Sequence, residues 1–209
     1  MFSQTIGKDT RSVLEKIGKS WLVKDFHLAG GTALAIQLGH RESIDLDWFS
    51  SAPFSNSKIK NTLAEIGKFK LENEEEGTIH GILDGVRVSF FHYDYKLLFP
   101  FIKFVDIKIA DERDISAMKL DAISSRGSKK DFVDYYFLLK KYTLEELVGF
   151  FEQKFSQIEF NRLHLLKSLV YFEDAEDEPM PIMLQSASWE EIKSQVELKV
   201  NEYLKKIIA

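Results

Sequence analysis

The chain of 209 residues contains no cysteine, which excludes disulfides and thiolate metal sites. It also lacks the apolar run of about 18 residues that a membrane-spanning helix requires. The N-terminal sequence MFSQTIGKDTRSVLEKIGK has no apolar region of the signal-peptide kind. Together these absences predict a bacterial cytoplasmic protein.

Positive charge is also scarce, with 28 basic against 33 acidic residues and a net charge of −5. This balance argues against a protein that coats nucleic acid over its whole surface. Two segments are locally basic: residues 58–70 carry four basic residues against one acidic residue, and residues 119–141 carry six against three. Each segment is expected either to orient a polyanion or to form an ordinary solvated helix face.

Apolar residues are abundant, at 44% of the chain with 17 phenylalanines, and provide ample material for a hydrophobic core. Strand and helix patterns mix up to residue 110, and the helical period dominates from Asp111 onward. We therefore predict an α+β protein with an α/β core at 1–110 and a helical region at 111–209. The predicted strands are 26–29, 43–49, 68–74, 77–83, 86–93 and 104–109.

Helix starts are marked by four capping boxes, in which a hydroxyl residue stands three before an acid. They are Ser128…Asp131, Thr143…Glu146, Ser156…Glu159 and Ser188…Glu191. The predicted helices are 10–24, 33–38, 57–67, 112–125, 129–141, 144–154, 157–172 and 189–207. Asp84-Gly85 predicts a two-residue hairpin turn between two of the strands.

Residues 30–49, GGTALAIQLGHRESIDLDWF, hold the strongest chemical signal. In a strand, Asp45 and Asp47 project to the same face, where two carboxylates repel each other unless a cation lies between them. Oxygen ligands suit Mg²⁺, which is usually held by one or two carboxylates and by substrate phosphates. Gly30 and Gly31 allow the backbone to approach those phosphates closely. Thr32 is expected either to donate to a phosphate or to cap the next helix.

This arrangement matches the hG-G-[ST]…D-x-D signature of the nucleotidyltransferase superfamily that contains DNA polymerase beta. Together with ISAMKLDAISSRGSKKDFVDYYFLL at 115–139, it resembles the AbiEii/AbiGii toxin family of nucleotidyltransferases. The resemblance implies a nucleotidyltransferase-like mixed β-sheet core flanked by helices. It also implies an NTP substrate, an RNA acceptor such as a tRNA 3′ end, and an antitoxin protein as partner in a type IV toxin–antitoxin or abortive-infection system.

The second block supplies further residues by this resemblance. Lys119 is a candidate for contact with the triphosphate, although its pattern alone is that of a surface lysine. Asp131 matches the family's acidic position, as a general base or a residue that positions the attacking group, and the capping box with Ser128 is its structural alternative. Arg126 and Lys130 suit phosphate contacts, and Arg126 alternatively pairs with Asp131.

A third carboxylate, common in the superfamily, is expected on a neighbouring strand. Its natural place is 86–92, VRVSFFH, where Arg87, Ser89 and Phe91 share the outward face and no acid is present. We therefore predict a Mg²⁺-dependent nucleotidyltransferase with catalytic residues Asp45, Asp47, Lys119 and Asp131. The alternatives are a nucleotide-binding regulatory protein without catalysis, motivated by the missing acid, and an enzyme that nucleotidylates small molecules.

Overall fold

The computed structural model describes residues 1–208 and divides the chain into two compact units, Met1–Asp111 and a second that begins at Glu112. The first unit contains a seven-stranded mixed sheet, and the second consists of helices. The predicted α+β class, a mixed sheet with helices followed by a helical region, is confirmed. Within residues 1–208, no helix is both long and apolar enough to cross a membrane.

The first unit alternates helices and strands before a strand-rich stretch. Its elements are α1 (Lys8–Gly18), α2 (Leu22–Asp25), β1 (His27–Ala29), α3 (Gly30–Leu38), β2 (Leu46–Ser50), α4 (Asn56–Ile66), β3 (Phe69–Glu75), β4 (Thr78–Leu83), β5 (Val86–His92), β6 (Ile102–Phe104) and β7 (Ile107–Ile109). The strand order is β3-β4-β5-β2-β1-β7-β6. The pairs β2–β5 and β1–β7 are parallel, and the other neighbouring pairs are antiparallel.

One face of this sheet forms the core of the first unit. Trp48, Phe90 and Ile79 are completely buried on it, and they alternate along their strands with partly exposed residues of the other face. Helices α1 and α4 pack against the sheet with buried apolar side chains such as Leu14 and Leu63. The opposite face keeps polar groups within reach of solvent.

The second unit is a set of helices that pack through apolar stripes. They are α5 (Glu112–Ser125), α6 (Lys129–Leu139), α7 (Leu144–Lys154), α8 (Arg162–Ser168), α9 (Glu173–Glu176) and α10 (Trp189–Ile208). Helix α5 contacts α6, α7 and α8, and α10 contacts α6 and α7. The capping box at Thr143 and Glu146 is present in both directions, as predicted.

Five predicted elements differ from the structure. The helix at 33–38 already begins at Gly30, so the two glycines are its first residues. The helix at 10–24 is two helices, because α1 ends at Gly18 and a single turn, α2, follows. The strand at 104–109 is a hairpin that turns at Val105, whose φ of +52° breaks the extended backbone. The helix at 157–172 starts only at Arg162, because the Asn161 side chain, rather than Ser156, accepts from its first amides. The strand at 43–49 begins at Leu46.

Candidate active site

Gly30 and Gly31 form the first turn of α3, directly after β1, and this glycine turn lies against the carboxylate of Asp47. Gly30 has a φ of +67°, and a Cβ at this position would lie 2.9 Å from Asp47 Oδ2. A Cβ at Gly31 would overlap the guanidinium of Arg41, which is buried behind the turn. Gly30 is therefore required by close approach and by its left-handed backbone, and Gly31 by close approach alone. The sequence prediction missed Arg41, because it lies in an irregular segment with no periodicity.

Asp47 lies within β2, between Ala29 of β1 and Ser89 of β5. Asp45 lies immediately before the strand, so the prediction that one regular strand carries both aspartates is wrong. Both aspartates are half-buried. The position of Asp45 is fixed by its backbone carbonyl, which accepts a hydrogen bond from Thr32 Oγ1.

Thr32 is the buried tie between α3 and the segment before β2. Its hydroxyl oxygen lies 2.7 Å from that of Ser43, in addition to its bond to the Asp45 carbonyl. The helix cap is Ala29, so the interpretation of Thr32 as the cap is wrong. Thr32 therefore holds the backbone that presents Asp45, and its direct contact with phosphate stays a prediction.

The donor set fits a hard cation that shares its coordination with substrate. Among residues 1–208, no group of three His, Asp or Glu side chains is placed to hold a metal by itself. Mg²⁺ does not need such a cage, because one or two carboxylates suffice when water and phosphate oxygens complete the shell. Two half-buried aspartates beside a glycine turn satisfy this requirement.

The place of the third carboxylate is taken by Ser89. It is the direct neighbour of Asp47 across the parallel β2–β5 pair. Val86, Val88 and Phe90 are buried on the other face, as predicted, and Arg87 is exposed.

A histidine lies next to this serine. His80 Nδ1 is 3.1 Å from Ser89 Oγ across the β4–β5 hairpin. The turn at Asp84 and Gly85 contained the signal for this contact, because a two-residue turn there fixes 80 opposite 89.

The second motif block forms a buried charge cluster within the second unit. Lys119 Nζ lies 2.8 Å from Asp131 Oδ1 and 2.6 Å from Asp134 Oδ2. Arg126 Nε contacts Asp131 Oδ2 at 3.1 Å, and the hydroxyl of Ser128 donates to the same oxygen at 2.6 Å. Lys119 is thus buried between two carboxylates, and its interpretation as a surface lysine is wrong.

Asp131 is held in its charged form by these neighbours. Burial alone would raise the pKa of its carboxyl, but the charges of Lys119 and Arg126, with the hydrogen bonds from Lys119 and Ser128, hold that pKa below its ordinary value. A carboxylate with a lowered pKa is a poor proton acceptor. The geometry therefore favours Asp131 as a residue that positions Lys119 and Arg126.

The capping-box interpretation of Asp131 is also wrong. Ser128 occupies the cap position of α6, but its side chain accepts no hydrogen bond from the helix amides. The amide of Asp131 bonds instead to the Ser128 carbonyl at 2.9 Å.

The basic segment 119–141 is not a continuous cationic surface. Lys129 is buried, and its Nζ donates to the Glu176 carbonyl at 2.9 Å. Lys141 pairs with Glu112. Lys130 is exposed, as a residue that contacts phosphate must be.

The chain matches a family model, and it matches a relative over nearly its whole length. The family model described as "Nucleotidyl transferase AbiEii toxin, Type IV TA system" matches residues 12–100, which include the glycine turn and both aspartates. The Aquifex aeolicus (strain VF5) protein aq_aa25, described as uncharacterized, is 40% identical over 203 residues, 94% of this chain and 97% of that protein.

Two crystal structures from Helicobacter pylori share the fold. That of JHP933 has a TM-score of 0.57 at 17% identity and covers 95% of this chain and 90% of its own. A second, described as a candidate nucleotidyltransferase, has a TM-score of 0.56 at 17% identity, with coverage of 96% and 95%. The predicted family and enzyme class are confirmed: the chain belongs to the AbiEii family of nucleotidyltransferases.

Proposed function

We propose that this nucleotidyltransferase uses Mg²⁺ to transfer the NMP of an NTP to a hydroxyl of RNA, such as a tRNA 3′ end. The observation that carries the proposal is the carboxylate of Asp47 lying against the glycine turn at Gly30. A cation on Asp45 and Asp47 would lie where the backbone admits a triphosphate. By its family, the chain is a type IV toxin of the bacterial cytoplasm that is neutralised by an antitoxin protein.

The reaction forms a bond from the acceptor oxygen to the α-phosphorus and breaks the bond from that phosphorus to the bridging oxygen, releasing pyrophosphate. The protein contributes position and charge. Asp45 and Asp47 would hold Mg²⁺, which neutralises phosphate charge when bound. Gly30 and Gly31 keep side chains out of the triphosphate's path. Lys119, Arg126 and Lys130 remain proposed contacts to the phosphates.

Incubation with each labelled NTP, Mg²⁺, total RNA and total protein tests this function. We expect label on RNA from at least one NTP. Asp47→Asn is expected to lower the transfer rate by about 10²–10³-fold and to weaken Mg²⁺–NTP binding in titration calorimetry. Asp94→Asn, an exposed aspartate of the same unit, is the matched control and retains both.

The competing candidate is a nucleotide-binding protein without catalysis, which the serine at position 89 favours. It predicts that an NTP binds in an Asp47-dependent manner but that no acceptor becomes labelled. Label on small molecules alone would instead identify a small-molecule nucleotidylating enzyme.

A further inference from the structure

Transfer of NMP requires that the acceptor hydroxyl lose its proton, and the residues assigned so far do not supply a base. Asp131 is buried and holds its charge through Lys119 and Arg126. Strand β5 offers Ser89 where an acid would stand beside Asp47. A serine hydroxyl does not accept a proton at neutral pH, so another group must act.

His80 is placed to fill this gap. Asp47, Ser89 and His80 form one row across β2, β5 and β4, so their side chains point to the same face of the sheet. The imidazole leans toward β5, because its Nδ1 lies 3.1 Å from Ser89 Oγ. Neighbouring strands lie about 4.8 Å apart, so this lean places the ring between one and two strand spacings from Asp47.

The surroundings of His80 leave it accessible and carry more basic than acidic residues. The side chain is half-buried, with its ring edge-on to Phe91 at 5.3 Å. The charged residues that share this face on β3 and β5 are Lys70, Glu75 and Arg87, all exposed. Asn73, the neutral partner of His80 on β3, completes its environment.

We propose that His80 is the proton acceptor for the attacking hydroxyl and that Ser89 is the residue that positions it. The proposal rests on the proposed transfer of NMP to a hydroxyl. As the acceptor oxygen bonds to the α-phosphorus, its proton passes to the imidazole Nε2, and the electron pair of the broken P–O bond leaves with pyrophosphate. The Nδ1–H of the neutral imidazole donates to the Ser89 hydroxyl oxygen, which fixes the ring orientation and leaves Nε2 without a proton, as an acceptor must be.

The test is the pH dependence of kcat/KM for labelled-NMP transfer to RNA between pH 5 and pH 9, measured with saturating Mg²⁺. The wild type is expected to lose rate toward the acid end of this range, because a protonated imidazole cannot accept the proton of the attacking hydroxyl. His80→Ala should lower the rate about 100-fold or more and remove the loss of rate on the acid limb of the pH profile. The affinity for Mg²⁺–NTP should stay within about twofold of the wild type. Added free imidazole should restore part of the rate.

His92→Ala is the matched control, because His92 is an exposed histidine at the end of β5 that pairs with Ser50, outside the row of Asp47. It should keep the wild-type profile. His80→Asn guards against a folding defect, since an amide retains a polar contact to Ser89, and it should melt like the wild type yet transfer as slowly as His80→Ala. Ser89→Ala should lower the rate less than either change at His80 and keep the acid limb.

The possible outcomes distinguish a failure of the proposed function from a failure of the proposed role of His80. If wild-type protein labels no acceptor with any NTP, the proposed function itself fails. If the wild type is active and the folded His80→Asn variant follows the same pH profile at a similar rate, transfer stands and the role of His80 is overturned.

Discussion

Each unit contains a pair of neighbouring aspartates, and the two pairs differ in burial and in whether the protein supplies a cation between them. Asp45 and Asp47 are half-buried beside a glycine turn. Asp131 and Asp134 are completely buried, and Lys119 lies between them as a built-in cation. An exchangeable metal suits the first pair, whereas the second is already neutralised by the fold. We therefore propose that similar carboxylates serve binding in one unit and positioning in the other.

The difference follows from what surrounds each pair. Removing a buried charge leaves its charged partners uncompensated in a medium of low dielectric, and this lowers the free energy of unfolding by several kcal/mol. A half-buried aspartate keeps water as an alternative partner, so its loss affects function more than folding. This comparison predicts which substitutions destabilise the fold and which abolish activity while leaving the fold intact.

The largest effect on stability is expected from Lys119→Met, which fills the space but removes the ammonium group that the buried carboxylates of Asp131 and Asp134 share. We expect the free energy of unfolding to fall by about 3–5 kcal/mol in urea titrations. Lys130→Met is the matched control, because Lys130 is exposed, and it should stay within about 0.5 kcal/mol of wild type. Equal stability of the two variants would contradict the built-in cation. Activity of Lys119 variants must be compared per folded molecule.

An intermediate effect is expected from Gly30→Ala, which places a methyl group against Asp47 and strains a left-handed residue. The left-handed conformation costs a non-glycine residue about 1–2 kcal/mol, so stability should fall by about this amount. Gly85→Ala has the same kind of strain, with φ of +87°, but no atom near its Cβ. Only Gly30→Ala should weaken Mg²⁺–NTP binding in calorimetry. An equal loss of Mg²⁺–NTP affinity in both variants would contradict the proposed link between the glycine turn and the aspartates Asp45 and Asp47.

The smallest effect is expected from Ser128→Ala, and it depends on pH. Asp131 has a lowered pKa in the folded state, so it stabilises the fold above its unfolded pKa of about 3.9 and loses that contribution as pH falls through the folded pKa. Removing the Ser128 hydroxyl should cost about 0.5–1.5 kcal/mol at pH 7. The difference in the free energy of unfolding between Ser128→Ala and the wild type should shrink below about pH 4.

Urea titrations at several pH values measure this difference. Ser125→Ala is the control, since that exposed hydroxyl bonds only to the Ala122 carbonyl of its own helix. A deficit of the Ser128 variant that stays constant down to pH 2 would contradict the assigned role.

Local patterns in the sequence were enough for most of the fold. The Asp84-Gly85 turn predicted the β4–β5 hairpin, and the Thr143 capping box predicted the start of α7. The predicted boundaries of helices and strands were wrong where contacts with distant parts of the chain determine them. Ser156 has the spacing of a cap, but Asn161 forms the cap instead, and nothing local distinguishes the two.

For the candidate site, the motif located the residues but not their environments. Lys119 has the helical spacing of a surface residue, and only the fold of α5 against α6 reveals that it is buried between Asp131 and Asp134. His80 lacks metal-ligand spacing, so its place beside Ser89 becomes visible only through strand register.

The parallel pairing of β2 with β5 has a consequence for how the protein acquires activity. Strands β3, β4 and β5 are joined by short antiparallel connections, and such local contacts form fastest. The β2–β5 contact spans about forty residues and includes a helix, so its closure is slower. A chain emerging from the ribosome therefore folds the meander around His80 before Asp47 gains its second neighbour. We therefore expect the proposed site for a metal-bound nucleotide to form only after β5 has paired with β2.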